Sequence, residues 1–135
     1  MDRRTYDDYL ARFNARDYEG VLAYYDDDPE IVFAGYSLRG KDAVRRFYGF
    51  FHEYVREEIE ITRFVSDADT IAMEATVRLT GLKAVPDGAF AELGFGRLMA
   101  PGVGQTIEIP QFIHYHLRNG RLARALCAVF EPPHA

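Results

Sequence analysis

The apolar residues of this chain change their spacing near residue 58, and this change restricts the folds available to it. Up to residue 55 they recur at intervals of three and four, the period of an amphipathic helix. From Glu58 onward they recur at every second position, the period of a strand with one buried face. A chain with helices first and strands last predicts an α+β domain, in which the helices pack on one face of a sheet.

The first half of the chain predicts three helices and one short strand. Asp17 is a suitable N-cap for the second helix, and the acidic residues 26–28 with Pro29 predict a turn after it. Residues 31–35 predict the strand, and residues 36–44 predict a turn that leads into the third helix. The apolar faces contain Tyr6, Tyr9, Leu10 and Phe13 in the first helix, Tyr18, Val21, Leu22 and Tyr25 in the second, and Val44, Phe47, Tyr48, Phe51, Tyr54 and Val55 in the third.

The second half predicts an antiparallel sheet. Asn119-Gly120 is a strong hairpin signal, because both central residues of a two-residue turn need positive φ. Residues 82–105 are rich in Gly and Pro and predict a long connection between strands, of a kind that is usually functional or mobile. The predicted strands are residues 58–65, 70–81, 106–117 and 121–130.

Length, charge and cysteine content limit the partners. The 135 residues predict one domain, residues 1–135. The net charge of −5 and the scattered basic residues disfavour nucleic acid and anionic membranes, and no apolar run is long enough to span a bilayer. The N-terminus shows no secretory signal, and Cys127 is the only cysteine. We therefore expect a soluble, cytoplasmic protein that needs no cofactor.

A metal site is also not expected. His114 and His116 form a His-x-His pair, but zinc needs three or four ligands and Glu74 is the only obvious third.

Four segments carry a family resemblance, namely YLARFNARDYEGVLAYYDDD (9–28), LRGKDAVRRFY (38–48), TIAMEATV (70–77) and FIHYHLRNGRL (112–122). In this order they resemble the nuclear transport factor 2-like superfamily, and within it the SnoaL-like polyketide-cyclase and ketosteroid-isomerase branch. The resemblance implies a cone-shaped fold, in which a curved, mixed but mostly antiparallel sheet wraps around three N-terminal helices. It also implies an apolar cavity in the cone and a homodimer formed through the outer sheet face. The fold hosts many reactions, so it does not identify one.

The hairpin and the resemblance together suggest which residues face that cavity. A two-residue turn at Asn119-Gly120 places His114 opposite Ala125 and Phe112 opposite Cys127. Both faces of the hairpin are apolar, but this one has small residues that leave room for a ligand. The expected ligand-binding residues are Phe13, Phe33, Phe47, Phe51, Tyr54, Phe112 and Cys127.

The resemblance also implies roles for three polar residues. The position of His114 matches a polar catalytic position of the isomerases and cyclases, so we expect it to be the general acid/base. Tyr9 matches the hydrogen-bond donor of the ketosteroid isomerases and would stabilise an oxyanion. Glu74 would orient His114 or act as a base itself.

Each of these residues also has an alternative interpretation. Tyr9 could be a core tyrosine with a satisfied hydroxyl, His114 a structural histidine of the sheet, and Glu74 a solvated residue or one at a subunit contact. Phe33 stands where the isomerases have their general-base carboxylate, and Cys127 lies where the cyclases have an acid. Two functions stay open: cofactor-independent proton transfer on a hydrophobic carbonyl compound, and a non-catalytic module for ligand binding or dimeric interaction.

Overall fold

A six-stranded mixed sheet organises the computed structural model, which describes residues 1–131. The strands are β1 (Tyr25–Phe33), β2 (Tyr36–Arg39), β3 (Val55–Ser66), β4 (Thr70–Gly81), β5 (Thr106–Arg118) and β6 (Arg121–Val129). The helices are α1 (Arg3–Asn14), α2 (Tyr18–Leu22), α3 (Lys41–Tyr54) and α4 (Ala89–Glu92). The strand order is β2-β1-β6-β5-β4-β3, and only β1 with β6 is a parallel pair. The predicted α+β fold, with a curved mixed sheet and N-terminal helices, is confirmed.

Side-chain hydrogen bonds fix where the first two helices begin and attach the end of α1 to the sheet. The side chain of Asp2 accepts from the backbone N–H of Thr5 at 2.8 Å, and Asp17 caps α2 as predicted. At the other end of α1, the Asn14 side chain accepts from the N–H of Ile59 at 3.1 Å and donates to its carbonyl at 3.4 Å. These two bonds attach the end of α1 to β3.

The largest differences from the sequence prediction lie at residues 25–30, at residues 36–39 and at the start of the third strand. Residues 25–30 form the first part of β1 rather than a helix end and a turn, and residues 36–39 form β2 rather than a turn. The third strand begins at Val55, three residues before the predicted start. Pairing with neighbouring strands explains the first two differences, because β1 lies between β2 and β6 and sheet pairing overrides a weak local turn preference.

Pairs of tyrosine hydroxyls join the helices to the sheet inside the core. Tyr6 of α1 bonds Tyr115 of β5 at 2.7 Å between hydroxyl oxygens, and Tyr9 bonds Tyr25 of β1 at 2.9 Å. Burial raises the pKa of all four phenols well above the ordinary value, so they stay neutral. Within residues 1–131, every buried side-chain nitrogen and oxygen has a hydrogen-bond partner. The tyrosine-rich core therefore carries no unsatisfied polar group.

The two faces of the sheet should respond differently to truncation. Ile71→Ala removes a fully buried side chain of β4 (0% exposed) and should lower the free energy of unfolding by about 2–5 kcal/mol. Val65→Ala, on neighbouring β3, truncates a side chain that is 65% exposed and should change it by less than about 0.5 kcal/mol. Urea denaturation measures both, and equal losses would contradict the burial described here.

Candidate functional site

An apolar cavity of about 190 Å³ lies between α3 and the inner face of the sheet. It receives side chains from both halves of the chain and from the connection 82–105. Three polar side chains, Tyr48, Glu57 and Gln111, interrupt an otherwise apolar wall. The apolar lining comprises Ile31, Phe33, Ala34, Phe47, Phe51, Val77, Leu79, Leu98, Met99, Ile109, Cys127 and Val129.

Stacked aromatic rings form one side of the cavity. The ring of Phe47 lies 5.0 Å from Phe33 and 5.5 Å from Phe51, between centroids, and it is nearly parallel to the latter. Phe95, from the long connection, lies 4.9 Å from the same ring. Such aromatic pairs are stiff and bury a large area, so this wall is preorganised.

The polar centre of the site is a chain of hydrogen bonds from Glu57 through His52 to Tyr18. Glu57 Oε1 lies 2.9 Å from His52 Nε2, and His52 Nδ1 lies 2.8 Å from the Tyr18 hydroxyl. The imidazole is 2% exposed and the Glu57 side chain 15%. A carboxylate in apolar surroundings is costly unless it is hydrogen-bonded, and His52 supplies that bond.

The junction of α3 and β3 brings these residues together. His52 lies in the last turn of α3, and β3 begins at Val55, which is completely buried. Side chains alternate along a strand, so Glu57 shares the inward phase of Val55. Glu57 is thus a charged residue at a position where the strand pattern calls for an inward-facing apolar one. This pattern would have identified Glu57 in the sequence if β3 had been predicted to begin at residue 55 rather than 58.

The prediction that His114 faces the cavity is wrong. His114 is exposed on the outer face of β5, as is Phe112, while Ile113 and Tyr115 are buried on the inner face. The cause is a β-bulge in the partner strand. The pair Leu117–Leu122 has the predicted register, but His116 is paired with Arg124 rather than Ala123, and His114 with Leu126.

One extra residue in β6 therefore changes which residues of β5 lie on the same face as Ala125 and Cys127. Ala125 and Cys127 face inward as predicted, but they do so together with Tyr115 and Ile113, their partners in the register. The small residues of β6 and the large residues of β5 share the inner face.

The other two predicted catalytic residues are also outside the cavity. Glu74 is exposed on the outer face, 3.7 Å from Arg63 Nε through its Oε2. Tyr9 is 3% exposed in the core and its hydroxyl is bonded to Tyr25. The structure does not bring Tyr9, His114 and Glu74 together.

Four of the seven predicted ligand-binding residues line the cavity: Phe33, Phe47, Phe51 and Cys127. That they contact a ligand stays a prediction. Phe13 and Tyr54 are buried in the core away from the lining, and Phe112 lies on the outer face, 42% exposed.

Arg97 holds the long connection beside the cavity. Its backbone N–H donates to the Tyr36 hydroxyl at 2.9 Å, its Nη2 donates to the Ala34 carbonyl at 3.4 Å, and its guanidinium lies 4.9 Å from the centre of the Tyr36 ring. Leu98 and Met99, which follow it, line the cavity. Through these contacts, the β1–β2 turn and the start of β2 hold residues 97–99 in position as part of the cavity wall.

Neither a metal-binding cluster nor a membrane-spanning helix is found within residues 1–131. No group of three or more His, Cys, Asp or Glu side chains is arranged to hold a metal ion there. No helix in this range combines the length and apolar character required to cross a membrane.

Comparison with known proteins gives a family match and structural likenesses. A family model described as a SnoaL-like domain matches residues 6–125. No curated protein matches the chain. A nuclear transport factor 2-like protein of unknown function from Burkholderia pseudomallei K96243 superposes with a TM-score of 0.73 at 17% identity, covering 96% of this chain and 92% of that one.

Two other solved structures have names that suggest chemistry. A candidate polyketide cyclase from Silicibacter sp. TM1040 is 26% identical, with a TM-score of 0.71 and coverage of 94% of this chain and 87% of that one. An LEH-like epoxide hydrolase from M. tuberculosis is 16% identical, with a TM-score of 0.68 and coverage of 94% and 80%. The second likeness shows the fold alone.

The rate at which the Cys127 thiol is alkylated should show how freely water and reagent enter the cavity. Burial, and secondarily the charge of Glu57, raises the pKa of Cys127 to about 12. The thiolate fraction falls tenfold for each unit of pKa, so iodoacetamide at pH 8 should alkylate the folded protein at least about a hundredfold more slowly than the protein in urea. Mass spectrometry over time measures both rates, with Cys127→Ser as the unreactive control. Equal rates would mean that water and reagent reach the thiol freely.

Proposed function

Because the chain belongs to the SnoaL-like domain family, we propose that its cavity binds a hydrophobic, carbonyl-bearing small molecule and that Glu57 moves a proton on it. The observation that carries this proposal is a carboxylate that lines an apolar cavity and is oriented by a buried imidazole. The reaction class is proton transfer of the isomerase, cyclase or lyase type, and the residues in these roles need no cofactor.

Glu57 is suited to the role of general base. Its carboxylate lines the cavity, so it is in a position to contact a bound ligand directly. His52 fixes the position of the carboxylate through the 2.9 Å bond to Oε1. A base that is held in place before the ligand arrives needs little reorganisation during the reaction.

Tyr48 and Gln111 are the other polar groups available to a ligand in the cavity. Burial, with a further contribution from the charge of Glu57, raises the pKa of Tyr48 well above its ordinary value, so its hydroxyl is a neutral donor. Gln111 offers an amide that donates and accepts. A carbonyl oxygen that gains negative charge as Glu57 removes a neighbouring proton could be stabilised by either group.

Exchange of α-protons on a hydrophobic ketone tests the proposed chemistry without knowledge of the natural substrate. The protein should accelerate exchange of the α-protons of 2-tetralone with D₂O, followed by NMR. Glu57→Gln keeps the shape of the side chain but removes the base, and should lower this rate by about 10²–10⁴-fold.

The outer-face residues provide the matched controls. Glu74→Gln makes the same chemical change at an exposed carboxylate, and His114→Ala removes the exposed imidazole. Both variants should keep the wild-type rate. A loss of exchange in either one, with Glu57→Gln unaffected, would overturn the assignment of the base.

The alternative is a binding module without turnover. The predominantly apolar lining, with only three polar side chains, is what favours it. Binding of 2-tetralone, seen as ligand line broadening that Phe47→Ala weakens, together with exchange no faster than in buffer, would identify a carrier rather than an enzyme.

We also propose that the chain forms a homodimer through the outer sheet face. Phe112 and Phe130 lie there with ring centroids 5.3 Å apart, 42% and 44% exposed, and Val65 is 65% exposed. Exposed aromatic residues on a sheet face are typical of a protein contact.

A charge in this patch should separate the subunits. Light scattering after size exclusion should give twice the chain mass of 15.4 kDa for the wild type and a lower mass for Phe112→Glu. The control Arg4→Glu introduces a glutamate on α1 instead, away from this face, and should keep the mass of the wild type. A monomeric wild type would contradict the proposal.

A further inference from the structure

We propose that Tyr18 and His52 form a proton relay that connects Glu57 with solvent at the side of the cavity wall away from the ligand. The use of this relay in catalysis rests on the function proposed above, whereas the relay itself does not. It follows from the four atoms that the hydrogen-bond chain places in reach of one another, and from the two protonation states that this chain can accommodate.

The first state has an ionised Glu57. His52 then carries its proton on Nε2 and donates to Glu57 Oε1 across 2.9 Å. Its Nδ1 has a free lone pair, which accepts from the Tyr18 hydroxyl across 2.8 Å. In this state each of the four atoms that form the hydrogen-bond chain has a partner.

The second state has a protonated Glu57, and it is satisfied equally well. The carboxyl O–H donates to Nε2, and His52 carries its proton on Nδ1, which donates to the Tyr18 oxygen. The Tyr18 hydroxyl proton is then free to turn to the Tyr48 carbonyl, whose oxygen lies 3.3 Å away. The Tyr48 carbonyl therefore gives the hydroxyl a second acceptor, which a purely structural tyrosine–histidine contact would not require.

The step between the states is balanced and requires only proton movements. A hydronium ion gives a proton to the Tyr18 oxygen and becomes water, the hydroxyl proton of Tyr18 moves to Nδ1, and the Nε2 proton moves to Glu57 Oε1. One proton enters and one carboxylate is neutralised, and no bond between heavy atoms changes. The reverse sequence returns a proton to water.

Tyr18 is placed to contact that water. It is a half-buried residue of α2, whereas His52 is 2% exposed and Glu57 lies on the cavity. This route brings protons to Glu57 without passing through the cavity. Such an arrangement protects a bound ligand from side reactions with solvent.

The groups that face this chain do not compete for its protons near neutral pH. Tyr18, Tyr48 and Cys127 all have a pKa raised chiefly by burial, so they remain protonated. Arg16, which precedes α2, is a permanent cation whose charge acts on Tyr18. The pair Glu57–His52 is left as the part that exchanges protons.

Nitrogen NMR of the ligand-free protein tests the relay independently of any activity. The two ring nitrogens of His52 are observed by long-range ¹H–¹⁵N correlation, assigned by comparison with His52→Gln, while the ¹³C signal of the Glu57 carboxyl is followed across pH. We expect Nε2 and Nδ1 to exchange their protonated and unprotonated shifts over the pH interval in which the carboxyl titrates. This swap should be lost in Glu57→Gln.

Tyr18→Phe is the variant that separates a relay from a mere hydrogen bond. It keeps the ring but leaves a protonated Nδ1 without its hydroxyl acceptor, and buried N–H groups without partners are rare. Nε2 should then stay protonated throughout, with no swap. Thermal unfolding and ligand-free spectra confirm that the variant is folded.

Two results would overturn the relay. In the first, His52 acquires protons on both nitrogens while Glu57 stays ionised, which describes an ordinary ion pair. In the second, the wild type keeps one tautomer at every pH, or Tyr18→Phe shows the same swap as the wild type. Because no ligand is present, neither result bears on whether the cavity binds a ketone, so failure here and failure of the proposed function are distinguishable.

Discussion

The hydrogen bond between His52 and Glu57 is the interaction on which the site depends. A carboxylate beside Phe47 and Phe51 would be strongly disfavoured without a partner, and the imidazole stabilises it while being almost completely buried itself. The local path of the chain makes this bond possible. Since α3 ends two residues after His52 and β3 runs straight on from it, the helix end and the strand start are joined at the point where the polar atoms meet.

The bulge in β6 is the second constraint, because it decides which side chains reach the interior. Without the extra residue at Ala123, Cys127 would share a face with His114, and the cavity would contain an imidazole. With it, Cys127 shares a face with Ile113 and Tyr115. The interior of β5 is therefore apolar or phenolic near the hairpin, and the carboxylate arrives from β3 instead.

The sequence predicted the class of the fold well, because periodicity is a property of whole segments. The alternation from Ile71 to Leu79 and the turn at Asn119-Gly120 are both present in the structure. It predicted the site poorly, because a site depends on single residues. A bulge of one residue has no distinct sequence signal in an apolar strand, and it moved His114 from the expected inner face to the outer one. Glu57 was missed because the strand start was placed three residues too late.

Five of the nine tyrosines fall into two groups, and this division explains why chemistry is assigned to so few polar atoms. Tyr6, Tyr9, Tyr25 and Tyr115 are bonded to one another in two hydroxyl pairs, so their polar ends are used for structure and are unavailable to a ligand. Tyr48 faces the cavity instead. A ligand therefore meets one phenol, one amide and one carboxylate within an aromatic wall. In the proposed function, apolar shape would therefore supply most of the binding energy, and Glu57 would be the group that moves the proton.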